Sequence, residues 1–241
     1  MIGSNRPMGV SHLSRKLPAF IVALALLAAI PGVAVARADR PTLIDVDVLH
    51  VSKAKPGGGG ANCSNDGVSN GLYELTGWAV AGPTTARLNT ATVPSGLTNV
   101  PGALQASFNA WQGGPPITVA TNGTVTKATA NHSYDLMWGR AGGGTIAVTY
   151  TWEWSNGEIE SDVVFNSRLP WFTASAEGDG CVETQARYDV RNIATHEFGH
   201  VYGLGHPGND RFETMYAFGF TGETLKWSPE NGDDAGMADI Y

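Results

Sequence analysis

Apolar and polar positions divide the 241-residue chain into a short leading segment and a longer domain of mixed elements. Residues 17–30 are apolar except for Pro18, and Pro31 and Gly32 follow. Residues 44–51 then alternate, with Asp45 and Asp47 on the polar side, and read as one strand or as the remnant of a short pro-segment. Pro56 and the glycines at 57–60 mark a flexible linker. No second linker or repeat follows, so residues 61–241 should form one domain, with 39–60 as its leader and linker. Asn99 can cap a helix that has Pro101 in its first turn and Val100, Leu104, Phe108 and Trp111 at helical spacing. Strands are expected at 117–120, around 136–138 and at 145–154. The best alternation lies at 158–166, with Ile159, Val163 and Phe165 on one side and Glu158, Glu160 and Asp162 on the other. Residues 189–203 read as a long helix with Val190, Ala194, Phe198 and Val201 as its apolar stripe. A last helix should start near Ser228-Pro229 and put Met237, Ile240 and Tyr241 on one face. One helix, several strands and two further helices predict an α+β domain.

Composition narrows the function classes. With 42% hydrophobic residues, 7 Trp, 7 Tyr and 8 Phe, the chain has too many apolar anchors to be disordered. Two cysteines exclude a disulfide-dense miniprotein, and a formal charge of −7 argues against a nucleic-acid binder. Arg6, Arg15 and Lys16 precede the apolar run, and Ala34, Ala36 and Ala38 follow it, so residues 1–38 read as a secretory signal. Cleavage would fall after Ala36-Arg37-Ala38 or after Ala34-Val35-Ala36. An uncleaved anchor is the competing reading; it needs about 20 apolar residues and would have to continue through Pro31 and Gly32. Four of the 15 basic residues and none of the 22 acidic ones lie in the signal, so its removal takes the charge from −7 to −11. The expectation is a secreted, extracellular, monomeric protein without stable membrane association or a nucleic-acid partner. Export would also expose Cys63 and Cys181 to an oxidising environment, and a disulfide between them is expected. It would close a loop of more than 100 residues, worth about 4 to 5 kcal/mol in the chain-entropy model.

Chemistry concentrates in His196-Glu197-Phe198-Gly199-His200-Val201-Tyr202-Gly203-Leu204-Gly205-His206. His196 and His200 are one helical turn apart, on a face directed away from the apolar stripe, where both imidazoles can hold one zinc ion. Glu197 is better placed to reach a metal-bound water than the metal itself. Gly203 can stop the helix at positive φ and turn the chain back, which lets His206 supply a third imidazole. Three protein ligands leave a fourth position open, the catalytic rather than the structural pattern. Incidental surface histidines or a structural zinc would leave the intervening glutamate unexplained.

This spacing, HExxHxxGxxH, resembles the signature of the metzincin zinc endopeptidases. Thr214-Met215-Tyr216 resembles the methionine turn of that clan, and its Met-Tyr order resembles the matrixin branch. So does the C-terminal segment, where Asp233-Asp234-Ala235-Gly236-Met237 precedes Ile240-Tyr241. The resemblance, over roughly residues 70–241, implies a zincin-like fold: a twisted, mixed, mostly parallel sheet with an antiparallel edge strand, an active-site helix and a C-terminal helix. It implies that Gly203 and Met215 support the site. It also implies that Asp162, Val163 and Val164 belong to the strand bordering the substrate cleft. Tyr216 is a wall of that cleft, a core residue or an aid to the tetrahedral intermediate. Pro207 is more like the serralysin branch, but Ala217 stands where that branch has its tyrosine ligand. No set resembling the second zinc loop of animal matrixins occurs, since His132 and Asp135 are too sparse. A bacterial-type, secreted, matrixin-like enzyme is the nearest description.

The implied activity is hydrolysis of internal peptide bonds in protein or peptide substrates, with one catalytic Zn2+ and Glu197 as general base and then acid. The substrate would add as a strand along 158–166. Cys63 has a second reading, a pro-segment thiolate blocking the zinc, although Ala61-Asn62-Cys63-Ser64-Asn65 does not match that family's motif. Ca2+ would suit an acidic secreted domain, but no EF-hand-like spacing supports it. The rival function is a secreted zinc-binding module of the same fold that binds proteins or peptides without catalysis; a zinc hydrolase of non-peptide substrates is a third class.

Overall fold

A computed structural model describes residues 39–52, 69–178, 180–182 and 185–241. The expected signal, the glycine-rich linker at 56–60 and Cys63 lie outside the described residues. In chain order the elements begin with β1 (Pro41–Val51), β2 (Thr84–Leu88), α1 (Val100–Ala110), β3 (Ile117–Ala120) and β4 (Tyr134–Gly139). Then come β5 (Thr145–Trp154), β6 (Ile159–Asn166), β7 (Trp171–Phe172) and β8 (Tyr188–Asp189). Helix α2 (Val190–Tyr202), β9 (Phe218–Gly219) and helix α3 (Asn231–Ile240) complete the chain.

Seven strands form one sheet in the order β3-β2-β4-β6-β5-β1-β9. Strands β3, β2, β4 and β6 run parallel, β5 runs antiparallel to both of its neighbours, and β1 is parallel to β9. The α+β, mixed and mostly parallel architecture is the one expected. Helices α1 and α2 pack together: Phe108 and Phe198 stack with ring centroids 3.6 Å apart, and Trp111 Nε1 donates to the Thr195 carbonyl at 2.9 Å. Leu88, Leu104, Leu136, Ile146, Phe165 and Ile193 fill the core, each worth about 1.5–3 kcal/mol when taken out of water.

Three expectations change. Asn99 does not cap α1 with its side chain; it sits at φ 53°, and its carbonyl accepts from Ala103 N. Helix α3 starts at Asn231, later than Ser228-Pro229, because Glu230 and Asp233 form a reciprocal capping box. The third change matters most for function: β6 is not a border strand. It pairs with β4 on one side and β5 on the other, so no backbone edge is left for a substrate to join. Its polar side is also buried, because a loop covers it. Glu160 accepts from the backbone N–H groups of Asn131 and His132, and Asp162 accepts from those of Thr129 and Asp135.

Burial, with the neighbouring Asp135 and Glu160 carboxylates adding, pushes Asp162 up to about 8 against the two backbone donors. The folded chain therefore keeps a proton that the unfolded chain loses near 3.8. This contribution to stability is complete below about pH 4 and is lost as pH rises towards 8. The urea midpoint should accordingly fall more between about pH 5 and pH 8 in the native chain than in Asp162→Asn. Parallel pH dependence in the two proteins would refute this.

Candidate metal and catalytic site

Helix α2 begins at Asp189, whose carboxylate accepts from Asn192 N at 2.9 Å, Ala174 N at 2.7 Å and Trp227 Nε1 at 2.6 Å. This N-cap fixes the helix against the segments on either side of it. The stripe Val190, Ala194, Phe198 and Val201 is buried as expected. Gly203, at φ 104°, ends the helix and donates to the carbonyls of Gly199 and His200. A Cβ there would lie 2.3 Å from the Trp78 carbonyl oxygen, so both the turn and the close approach require glycine.

The turn brings three imidazoles together. Their Nε2 atoms are 3.2 Å (His196–His200), 3.1 Å (His200–His206) and 3.2 Å (His196–His206) apart. Zinc–nitrogen bonds of about 2.0–2.1 Å in tetrahedral geometry imply ligand separations of about 3.3 Å, close to those seen. His196 Nδ1 donates to the Thr214 carbonyl and His200 Nδ1 to the Leu204 carbonyl, both at 2.7 Å, which leaves each Nε2 lone pair free for a metal. Burial holds all three imidazoles below the usual histidine range, His206 at about 4, with neighbouring cationic groups adding. They are thus neutral, the form that binds metal. Among the described residues these three form a cluster able to hold an ion.

Glu197 lies beside them, fully buried. The Thr149 hydroxyl, from β5, donates to its Oε2 at 2.5 Å, while Oε1 has no partner. Burial pushes Glu197 up to about 8, the Asp47 carboxylate adding and Thr149 opposing. Asp47 of β1 is the second acid at the site. Its Oδ2 is 3.4 Å from His200 Nδ1, which already donates elsewhere, and it too has no hydrogen-bond partner. Two orphaned buried carboxylate oxygens beside three clustered imidazole nitrogens fit a divalent cation with a water or substrate oxygen.

Below the histidines, Met215 fills the space left by Gly199, where a Cβ would stand 2.2 Å from Met215 Sδ. The turn carrying Met215 is clamped from two sides. Asp233 accepts from Thr214 N at 2.7 Å and Met215 N at 3.2 Å. Lys226, only 1% exposed, directs its ammonium at the carbonyls of Tyr216 (3.0 Å) and Thr214 (3.1 Å). Thr214 O thus takes both Lys226 and the His196 ring, so the buried lysine helps to orient His196.

His196, His200, His206, Glu197, Gly203 and Met215 meet as the sequence suggests. Asp162, Val163 and Val164 do not: they are interior β6 residues, and the strand facing Glu197 is β5. Tyr216 lies near Phe218, with ring centroids 5.4 Å apart, and both line a cavity of about 190 Å3 together with Ser52, Arg211 and Leu225. The backbone of Cys181 pairs with that of Glu223 as an isolated antiparallel β-bridge, and Cys63, its expected disulfide partner, lies outside the described residues. Thr149, Asp47 and Lys226 were missed. Asp47 stood out only as the polar side of an alternating stretch, and nothing in the sequence around Thr149 or Lys226 singles them out.

Residues 85–241 match the family model of the matrixins. No curated protein matches the chain. The turn at Gly203 gives a direct test of this geometry. Gly203→Ala should cost more than about 1 kcal/mol of stability, because its φ is unsuited to alanine and its Cβ meets a carbonyl. The folded variant should also bind less than one zinc per chain by elemental analysis, since His206 is delivered by that turn. Full zinc content with unchanged stability would show that the turn does not set the third ligand.

Proposed function

The chain belongs to the matrixin family, a metalloprotease family, and from that premise we propose that it is a secreted zinc endopeptidase using Glu197 to move the proton in hydrolysis of internal peptide bonds. The observation that carries the reading is the convergence of three neutral Nε2 atoms beside a buried glutamate with one oxygen unpaired. His196, His200 and His206 would hold the zinc, which supplies an acidified water and polarises the scissile carbonyl. Glu197 Oε1 takes the proton of the attacking water and returns it to the leaving amine. Thr149 holds the other carboxylate oxygen, so the proton is received at Oε1. The carbonyls of Thr214 and Leu204 keep the imidazoles aimed at the metal. An extended substrate would pair with the backbone of β5 rather than with β6.

Export rests on the sequence of residues 1–38, and among the described residues no helix is long and apolar enough to cross a membrane. Cleavage after Ala38 would make Asp39 the first residue of the mature protein, and a Cys63–Cys181 disulfide would follow in the oxidising compartment. In support of that bond, no cysteine among the described residues is free.

The test is digestion of a mixed peptide library by zinc-loaded protein, intact and cut between β1 and β2. Internal cleavage should be lost with a chelator and should fall by about 10²–10⁴-fold in Glu197→Gln, which retains its zinc. Cleavage undiminished in Glu197→Gln, or none by either zinc-loaded form, rejects the mechanism.

A further inference from the structure

The place a peptide substrate would take is filled by the chain itself. The family match begins at residue 85, and β1 lies before it. Without β1, strand β5 would present a free backbone edge next to Glu197, facing β9. Instead β1 lies in that slot, antiparallel to β5 and parallel to β9. Backbone groups hold it on both sides: His50 N donates to Ala217 O at 2.9 Å, Val51 N to Gly144 O at 2.8 Å and Ser52 N to Gly219 O at 2.8 Å. Such pairing recognises extended peptide in general.

The register sets which part of β1 faces the site. Asp47 pairs with Thr149, whose hydroxyl holds Glu197, and the Asp47 carboxylate approaches His200. Two residues on, Leu49 is fully buried. Away from that point β1 stays paired with β5 through its backbone, while its side chains reach solvent, Leu43 49% and Val46 42% exposed. With the strand in place, His196, Glu197 and His200 are all 0% exposed. An endopeptidase has to admit an extended chain to these groups, and the described structure leaves no room for one.

We propose that β1 is a resident peptide ligand of the catalytic cleft, which keeps the chain latent until the strand is displaced and a substrate takes its place in the same direction. The proposal rests on the protease reading and adds its regulation. It assigns latency to a strand that pairs as a substrate would, and not to a thiolate at Cys63. A tethered strand meets its slot at an effective concentration in the millimolar range. With an intrinsic dissociation constant of about 0.1 mM it would occupy the slot about nine-tenths of the time, leaving about a tenth of the activity.

The test inserts a specific protease site among the glycines at 57–60 of the whole chain. After cutting and dilution, the zinc-loaded protein should hydrolyse a quenched fluorescent peptide about tenfold faster than the uncut chain. Added synthetic peptide of sequence 41–52 should restore inhibition by raising KM at unchanged kcat. Leu49→Asp should raise the activity of the uncut chain. Equal activity of the cut and uncut chains overturns latency while leaving the protease reading intact. A second readout needs no turnover: in the cut Glu197→Gln protein, labelled 41–52 peptide should exchange into the slot and a scrambled peptide should not. Failure to exchange, or unfolding when the strand leaves, makes β1 a permanent strand and overturns the proposal. Exchange without hydrolysis by any form upholds the resident ligand and rejects the protease reading.

Discussion

Holding three neutral imidazole nitrogens within 3.2 Å of one another, out of water, is the constraint on which most of this structure depends. Nothing in an apolar interior favours such a cluster by itself, so each ring has to be fixed by something else. The first two are set by a single helical turn and by carbonyls that take their Nδ1 protons. The third depends on a residue that must be glycine, because the chain reverses at φ 104° against the Trp78 carbonyl. The carbonyl that orients His196 belongs to the turn carrying Met215, and that turn is itself clamped by Lys226 and Asp233. The geometry of the metal site thus reaches the C-terminal helix through the Asp233 carboxylate, which also closes the capping box of that helix.

The acidic composition has a different meaning inside the fold from the one it has as a total. A formal charge of −7 reads as a solvated surface, yet Glu160, Asp162, Asp189, Glu213 and Asp233 are all almost wholly buried. Each accepts hydrogen bonds from backbone N–H groups that loops and helix starts leave unpaired. These carboxylates serve as internal staples where a sheet or helix cannot supply the partner. Most of their proton affinities are raised by burial, so the same staples tie stability to pH.

Helix α2 was legible because its signals are local: histidines four residues apart, an intervening glutamate, and a glycine at the required stop. The strands at 117–120, 145–154 and 159–166 were legible from their apolar patterns. Their order in the sheet was not, because alternation shows that a strand has two faces and says nothing about its neighbours. The alternation at 158–166 shows only that Glu160 and Asp162 share a polar side; the tertiary placement of the loop at 129–135 shows that these two are buried and paired with backbone. Strand β2, only five residues long and buried at Ala86 and Leu88, offered too short a pattern. Lys226 and Thr149 act across 12 and 48 residues of sequence on Thr214 and Glu197, and no local rule connects such positions.

Strand β1 shows why a cleft that reads backbone is open to control by its own chain. Pairing through N–H and C=O groups is nearly indifferent to side chains, so a tethered strand and a free substrate compete for the same β5 edge on similar terms. The tether then decides the competition through effective concentration, without needing a tight contact. What holds β1 is chiefly its backbone pairing with β5 and β9, together with the burial of Leu49, since Leu43 and Val46 already lie in water. Burial raises the proton affinity of Glu197, and the negative charge of Asp47 on the same strand adds to it. In the proposed exchange a substrate would replace both the Asp47 side chain and the backbone pairs that β1 makes with β5 around Thr149.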